Sequence, residues 1–270
     1  MEHGNSSWPV TRGQLDIWLA QETGQSAAEW QLGIFVKIDG SVDFGVFEQS
    51  IRRVVGEAEP VLATFSESDG QVRQRLLDAA NIEVAFVDLT DADQPMARAR
   101  ELASAMQRTP MPLDGPLLRF AYFRAGAAES YFFVCCHHIV ADGIGLALVC
   151  QRIAAVYSES VAGMPIQPSY LSSLQDLIDC EEAYEASADY AEDEAYWTAN
   201  LPAEATREHQ PDDAAAEDGS SEPIQLDPAL LARVERLCED WNVRRSTLLI
   251  AACALVLRGR SAEGHEVVLD

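Results

Sequence analysis

The residues best equipped for chemistry stand together in one short stretch, His137-His138-Ile139-Val140-Ala141-Asp142-Gly143. A neutral imidazole is suited to moving a proton near neutral pH, because its unperturbed pKa is about 6.5. Successive side chains on an extended segment point to opposite faces, so only one of the two histidines can look into a given cavity. One is expected to work and the other to be structural. Asp142, four residues beyond His138, can be bent back by a loop as an orienting acceptor or as the partner of an arginine. Gly143 is expected to allow a backbone angle or a close approach that a Cβ would forbid. By residue type alone, a pair of packed or surface histidines is the commoner meaning of such a stretch.

Two elements must hold it. The run Tyr131-Phe132-Phe133-Val134-Cys135-Cys136 is short, aromatic and branched, with no helical period, and reads as a buried strand. After Gly143, the apolar residues Ile144, Leu148, Val149, Ile153 and Val156 recur at helical spacing, so a helix carries the chain away. The seven residues then form a strand-to-helix turn. Prolines at 110, 112 and 116 enforce an extended approach to Leu117–Phe123. A hairpin connection, Arg124 to Ser130, makes that segment a long antiparallel neighbour of the active strand.

At 270 residues and 48% hydrophobic, the chain can build one large domain or two small ones. Its formal charge of -25 argues against a nucleic-acid or anionic-membrane surface, both of which select Lys and Arg. Lys37 is the only lysine. The first seven residues have neither a basic nor an apolar region, so no secretory signal is visible. The longest apolar run, Leu248 to Leu257, is about half of a bilayer span. A cytoplasmic protein with neither a nucleic-acid nor a membrane partner is expected. Cysteines 135, 136, 150, 180, 238 and 253 show no C-x-x-C spacing and read as reduced core residues rather than metal ligands or disulfides.

In chain order, Thr11-Arg12-Gly13-Gln14 is a capping box, with Leu15, Trp18 and Leu19 on one packing face of the helix it opens. Leu32 to Ile38 reads as a strand, and Asp43 starts a helix with Phe47, Ile51, Val54 and Val55 inward. Val61–Phe65 and Gln71–Gln74 form a hairpin around Asp69-Gly70. Ile82–Val87 is a further strand, followed by a helix over roughly residues 92–107. Pro165 and Pro168 end this lobe. Leu171, Leu174, Leu177 and Ile178 begin a stripe on two helices that run to Trp197 and Leu201. Between Asp176 and Glu222 stand 16 acidic residues against the single Arg207, and 203–222 reads as a mobile linker, with a docking segment as the alternative. Ile224-Gln225-Leu226 is a short strand, Asp227-Pro228 opens a helix with Leu230, Val234 and Leu237 inward, Ser246 opens another, and Glu266–Leu269 begins a strand.

The pattern His-His-x-x-x-Asp-Gly at a strand end resembles the signature of condensation domains of nonribosomal peptide synthetases, and of the wider acyltransferase superfamily that includes chloramphenicol acetyltransferase. Thr11-x-x-Gln14 leading into a helix with Trp18 and Gln21, the stretch Pro116–Phe120, and Tyr196-Trp197 followed by Leu201 are similar to further condensation-domain elements. The resemblance implies an α/β fold, a chloramphenicol acetyltransferase-like mixed sheet flanked by helices with an incomplete second lobe. Residues 1–170 would be the N-terminal lobe, 171–202 a helical bridge, 203–222 the linker and 223–270 the opening of the C-terminal lobe. The chain departs from the pattern at Glu57-Ala58-Glu59, where the family has Arg-His-Glu or similar. It also carries Leu62 where the family commonly has the arginine that pairs with the motif aspartate, here Asp142. Arg119 has no assigned part in replacing it.

By this resemblance His138 sits beside an attacking amine and positions or deprotonates it as it meets a thioester carbonyl. His137, Asp142 and Gly143 shape the loop, where a backbone amide helps hold the developing oxyanion. No cofactor or metal is bound directly; the substrates hang on the 4'-phosphopantetheine arms of acyl and peptidyl carrier proteins, and an adjacent adenylation domain belongs to the parent synthetase. The first motif stands almost at Met1, so the acyl donor is expected in trans, as for an initiating module. The chain has no carrier or adenylation motif, and alone is expected to be inactive. An O-acyltransferase of the same signature and a non-catalytic recruitment module are the alternatives.

Overall fold

The computed structural model of the chain describes residues 7–23, 29–200 and 227–260. Contacts divide it into two compact units, residues 1–201 and 202–270. The expected linker 203–222 and the strands at Ile224–Leu226 and Glu266–Leu269 lie outside the described residues.

The first unit runs β1 (Trp8–Pro9), α1 (Arg12–Glu22), β2 (Gln31–Asp39), α2 (Phe44–Glu57), β3 (Ala63–Ser68), β4 (Gln71–Leu76), β5 (Val84–Asp88), α3 (Pro95–Arg108), β6 (Leu118–Arg124), β7 (Glu129–His137), α4 (Gly143–Val161), α5 (Leu174–Glu185) and α6 (Ala188–Asn200). Four strands in the order β2-β7-β6-β5 form the main sheet; β7 is antiparallel to both neighbours and β5 is parallel to β6. A short sheet, β1-β4-β3, stands beside it. Its hairpin turns at Asp69 (φ 55°) and Gly70 (φ 74°), the paired positive angles that a two-residue turn of this hand requires.

The apolar run read as the active strand is β7, buried on both faces from Ser130 to His137. Its two faces meet different helices. Phe132 receives Phe47 of α2 edge-on at 5.0 Å. On the opposite face Tyr131 stacks with Phe35 at 5.6 Å, and Arg100 of α3 lies over the Phe35 ring. The expected inward set of α2 is found buried, held by an Asp43 N-cap that accepts from Val46 N at 3.1 Å. Gly33 of β2 faces the Phe133 ring so closely that a Cβ would come within 2.7 Å of it and 2.9 Å of Gln107 Oε1. Gly33→Ala therefore overpacks the sheet against α3 and should cost about 1–3 kcal/mol in a urea titration.

Several sequence expectations are corrected by packing. In α1 the capping box is present in both directions, but Gln14 is the buried residue while Leu15 and Leu19 are exposed. Gln14 turns inward because Gln74, buried in β4, exchanges hydrogen bonds with its side chain amide. In α4 the buried positions are Leu146, Val149, Arg152, Ile153 and Val156, and Ile144 and Leu148 are exposed. This helix of 19 residues is long and apolar enough to cross a membrane by length and composition, yet one stripe of it belongs to the core. Val61 and Leu62 sit in a 3-10 turn, Glu59–Leu62, rather than in a strand. Leu174 and Ile178 are buried as expected, whereas Leu177 is exposed. Cys135 and Cys136 are core residues, but Cys180 and Cys253 are exposed; all six thiols are free.

Helices α5 and α6 are fastened to the rest of the first unit by polar contacts. Glu59 accepts from Leu174 N at 3.0 Å, and Arg12 donates to Glu185 and, at 2.9 Å, to the Tyr190 hydroxyl. The Thr11–Gln14 motif thus caps its own helix and docks two others.

The second unit contains α7 (Pro228–Trp241) and α8 (Arg245–Arg260). Asp227 caps α7, accepting from Ala229 N at 2.7 Å. Leu230 and Leu237, expected inward, are exposed.

Candidate active site

Strand β7 ends at His137, and the backbone then turns through Val140 N to His137 O (3.1 Å) into α4. His137 is wholly buried. Its Nδ1 accepts from Ile139 N at 3.2 Å, so the proton stands on Nε2, which donates to Gln21 Oε1 of α1 at 3.0 Å. Burial, with the nearby His138 charge as a lesser cause, pushes its pKa down to about 4. His137 is therefore a neutral, doubly held strut between α1 and the turn. Gln21, quoted by the sequence only as part of a motif, is what holds it.

A pH dependence follows. The folded state resists protonating His137 until about pH 4, whereas the unfolded chain takes the proton near 6.5. The stability His137 contributes is complete above pH 6.5 and falls as the pH drops towards 4, by up to about 3 kcal/mol. Urea midpoints measured at pH 7 and pH 5 should differ in this direction. His137→Gln, which cannot titrate, should flatten that part of the difference.

His138 differs in every respect. Its backbone N–H donates to Trp30 O at 2.7 Å, its ring is half-buried, and among the described residues no hydrogen bond reaches that ring. It is the more accessible imidazole of the pair.

Asp142 is the N-cap of α4. Its Oδ1 accepts from Gly145 N at 2.7 Å. It is exposed, and no ion pair to it is present among the described residues. Arg119 does not take the place of the missing arginine, because its guanidinium is occupied by the carbonyls of Met106, Thr109 and Pro110 at the end of α3. Leu62 is buried in the core. Asp142→Ala should cost about 1 kcal/mol, the usual worth of an N-cap, seen as a lowered melting temperature.

The expectation for Gly143 is corrected: it has no left-handed backbone angle, and among the described residues a Cβ there would meet nothing within 4 Å. The glycine leaves open space at the start of α4, beside first-turn amides that have no intrahelical acceptor. Gly143→Ala should leave the melting temperature unchanged or slightly raised, so any loss of turnover it causes reports on that space. Among the described residues, no three His, Cys, Asp or Glu side chains are grouped to hold a metal.

Comparison with known proteins fits this geometry. The Condensation domain family model matches residues 5–268. A dimodular nonribosomal peptide synthase of Bacillus subtilis is 27% identical over 191 residues, 70% of this chain and 8% of that protein. The crystal structure of the starter condensation domain of rhizomide synthetase aligns with a TM-score of 0.67 and 30% identity, covering 74% of this chain and 49% of that one. A mutant of the same domain in complex with C8-CoA and Leu-SNAC aligns with a TM-score of 0.68 and 30% identity over 72% of this chain and 45% of the other. The chain thus spans a small part of the synthetase and about half of the solved domain. The mixed sheet flanked by helices is the chloramphenicol acetyltransferase-like arrangement expected from the sequence. With its signature turn at the end of β7 and a family model running almost from end to end, the chain belongs to the condensation-domain family of nonribosomal peptide synthetases.

Proposed function

We propose that this chain supplies the histidine-bearing lobe of a domain that joins a carrier-bound acyl group to a carrier-bound amino acid. The observation that carries the reading is the division of labour in the signature turn: His137 is neutral, buried and used up by its hydrogen bonds, while His138 is accessible with both ring nitrogens unengaged among the described residues. The acceptor amine attacks the donor thioester carbonyl, a C–N bond forms and the C–S bond breaks. His138 takes the ammonium-like proton and returns it to the departing thiolate. Amides in the first turn of α4 are suited to the developing oxyanion, since a helix N-terminus favours negative charge. Asp142 and Gly143 act by starting that helix and keeping its approach open.

Both substrates would arrive on 4'-phosphopantetheine arms of carrier proteins, the acceptor loaded by an adenylation domain of the parent synthetase. The likeness to a starter domain solved with C8-CoA and Leu-SNAC supports an acyl donor delivered in trans and an aminoacyl acceptor. Free, exposed thiols at Cys180 and Cys253 fit a reducing, cytoplasmic setting.

The test is product analysis with the parent polypeptide, carrier-bound acyl donors, and matched amine and alcohol acceptors. Amide formation is expected. Ester formation alone moves the chain to O-acyl transfer, and no product with any pair favours a recruitment role. The isolated 270 residues, spanning about half of the solved domain, should show little or no turnover in the same assay.

A further inference from the structure

The side chain facing His138 is Trp30, a residue to which the sequence assigns no part. The β2·β7 ladder pairs Gln31 with His137, and the same register places Trp30 opposite His138, where the hydrogen bond from His138 N to Trp30 O, 2.7 Å, continues it. Directly opposed residues of an antiparallel pair project to the same side. The indole and the imidazole accordingly meet edge-to-face, ring centroids 6.5 Å apart and planes at 82°. The indole nitrogen is buried and without an acceptor among the described residues, so the ring is set by packing rather than by a bond of its own.

A proton-transferring imidazole poses a difficulty that His137 does not. Its ring must be oriented, and among the described residues no hydrogen bond to either nitrogen does so. An aromatic edge orients a ring without using its nitrogens. We infer that Trp30 is the positioning residue of His138, fixing its backbone through the carbonyl and its ring through the indole. This rests on the reading of His138 as the proton-transferring group.

The test compares Trp30→Leu, Trp30→Phe and His138→Ala in the parent polypeptide. Trp30→Leu keeps the carbonyl and removes the ring; kcat for amide formation should fall about tenfold, the rate equivalent of one aromatic pair, with KM within about twofold. Trp30→Phe should recover most of it. In the 270-residue chain labelled with carbon-13 histidine, the His138 ring resonances should lose the indole ring-current shift in Trp30→Leu while those of His137 stay in place. Unchanged kcat in Trp30→Leu alongside an inactive His138→Ala overturns the inference, as does a Trp30→Phe variant no better than Trp30→Leu. If His138→Ala itself keeps turnover, the functional reading falls instead, and the His138 resonances still decide whether Trp30 holds the ring.

Discussion

His138→Ala in the parent synthetase is expected to lower amide formation by about 10²–10⁴-fold, the range for removing a positioned general base, with little change in melting temperature. The two halves of this expectation come from different observations. Loss of turnover follows because the second imidazole cannot substitute: His137 lies on the opposite side of the strand, wholly buried, with both nitrogens engaged. Retention of stability follows because the His138 ring is half-buried and makes no hydrogen bond among the described residues, so its removal orphans no partner. Trp30 O keeps its bond, since alanine still offers the backbone N–H. His137→Ala reverses the pattern, leaving Gln21 Oε1 without its donor and Ile139 N without its acceptor inside the core and lowering stability along with activity. Kinetics and thermal melts on the two variants separate base from strut. If His138→Ala retains parent turnover at equal stability, the imidazole is scaffold and the chain is a recruitment module.

The sequence made the local features legible and hid the long-range ones. The turn, the capping box at Thr11 and the Asp69-Gly70 hairpin each depend on residues within a few positions, and all stand where they were expected. That the two histidines divide between opposite faces followed from strand geometry alone. What failed was the assignment of inward faces wherever a polar partner decides them. Gln14 turns in because Gln74, 60 residues away, receives it, and this rotates Leu15 and Leu19 outward. Arg152 stands in the buried stripe of α4, a position a hydrophobic pattern skips, while Ile144 and Leu148, part of the apolar spacing that marks the helix, are exposed. Gly143 was expected to allow a backbone angle or a close approach, yet among the described residues a Cβ there would meet nothing within 4 Å. Trp30 precedes its strand, and only the register of β2 on β7 gives it a neighbour.

Arg152→Met is expected to destabilise the chain by about 3 kcal/mol, read as a lower urea midpoint, without touching the turn that holds His138. The Arg152 side chain is 3% exposed and Glu57, at the end of α2, is 18% exposed. Their contact is two-pronged, Nε to Oε2 at 2.8 Å and a terminal nitrogen to Oε1 at 3.2 Å, while the guanidinium also donates to Gln167 O at 2.7 Å. One cation thus ties α4 to α2 and to the chain leaving α4. Burial by itself would raise the Glu57 carboxyl, but hydrogen bonds from Arg152 and Arg53 outweigh it and hold the pKa below its usual value. Removing the cation strands a carboxylate in the core, and breaking a buried pair typically costs 3–5 kcal/mol. The lower end applies because Arg53 keeps a 3.0 Å bond to Glu57, which also retains some contact with water. The double variant Arg152→Met, Glu57→Gln removes the stranded charge and should recover part of the loss, giving a coupling of about 1–3 kcal/mol in a double-mutant cycle. The sign in acid is fixed as well. A carboxyl held below its unfolded pKa contributes stability that is present above the unfolded value and lost as the pH falls through the folded one. The parent's advantage over Arg152→Met should therefore shrink on acidification. An advantage that stays constant to low pH would mean that Arg152 acts through the packing of its apolar stem and not through Glu57.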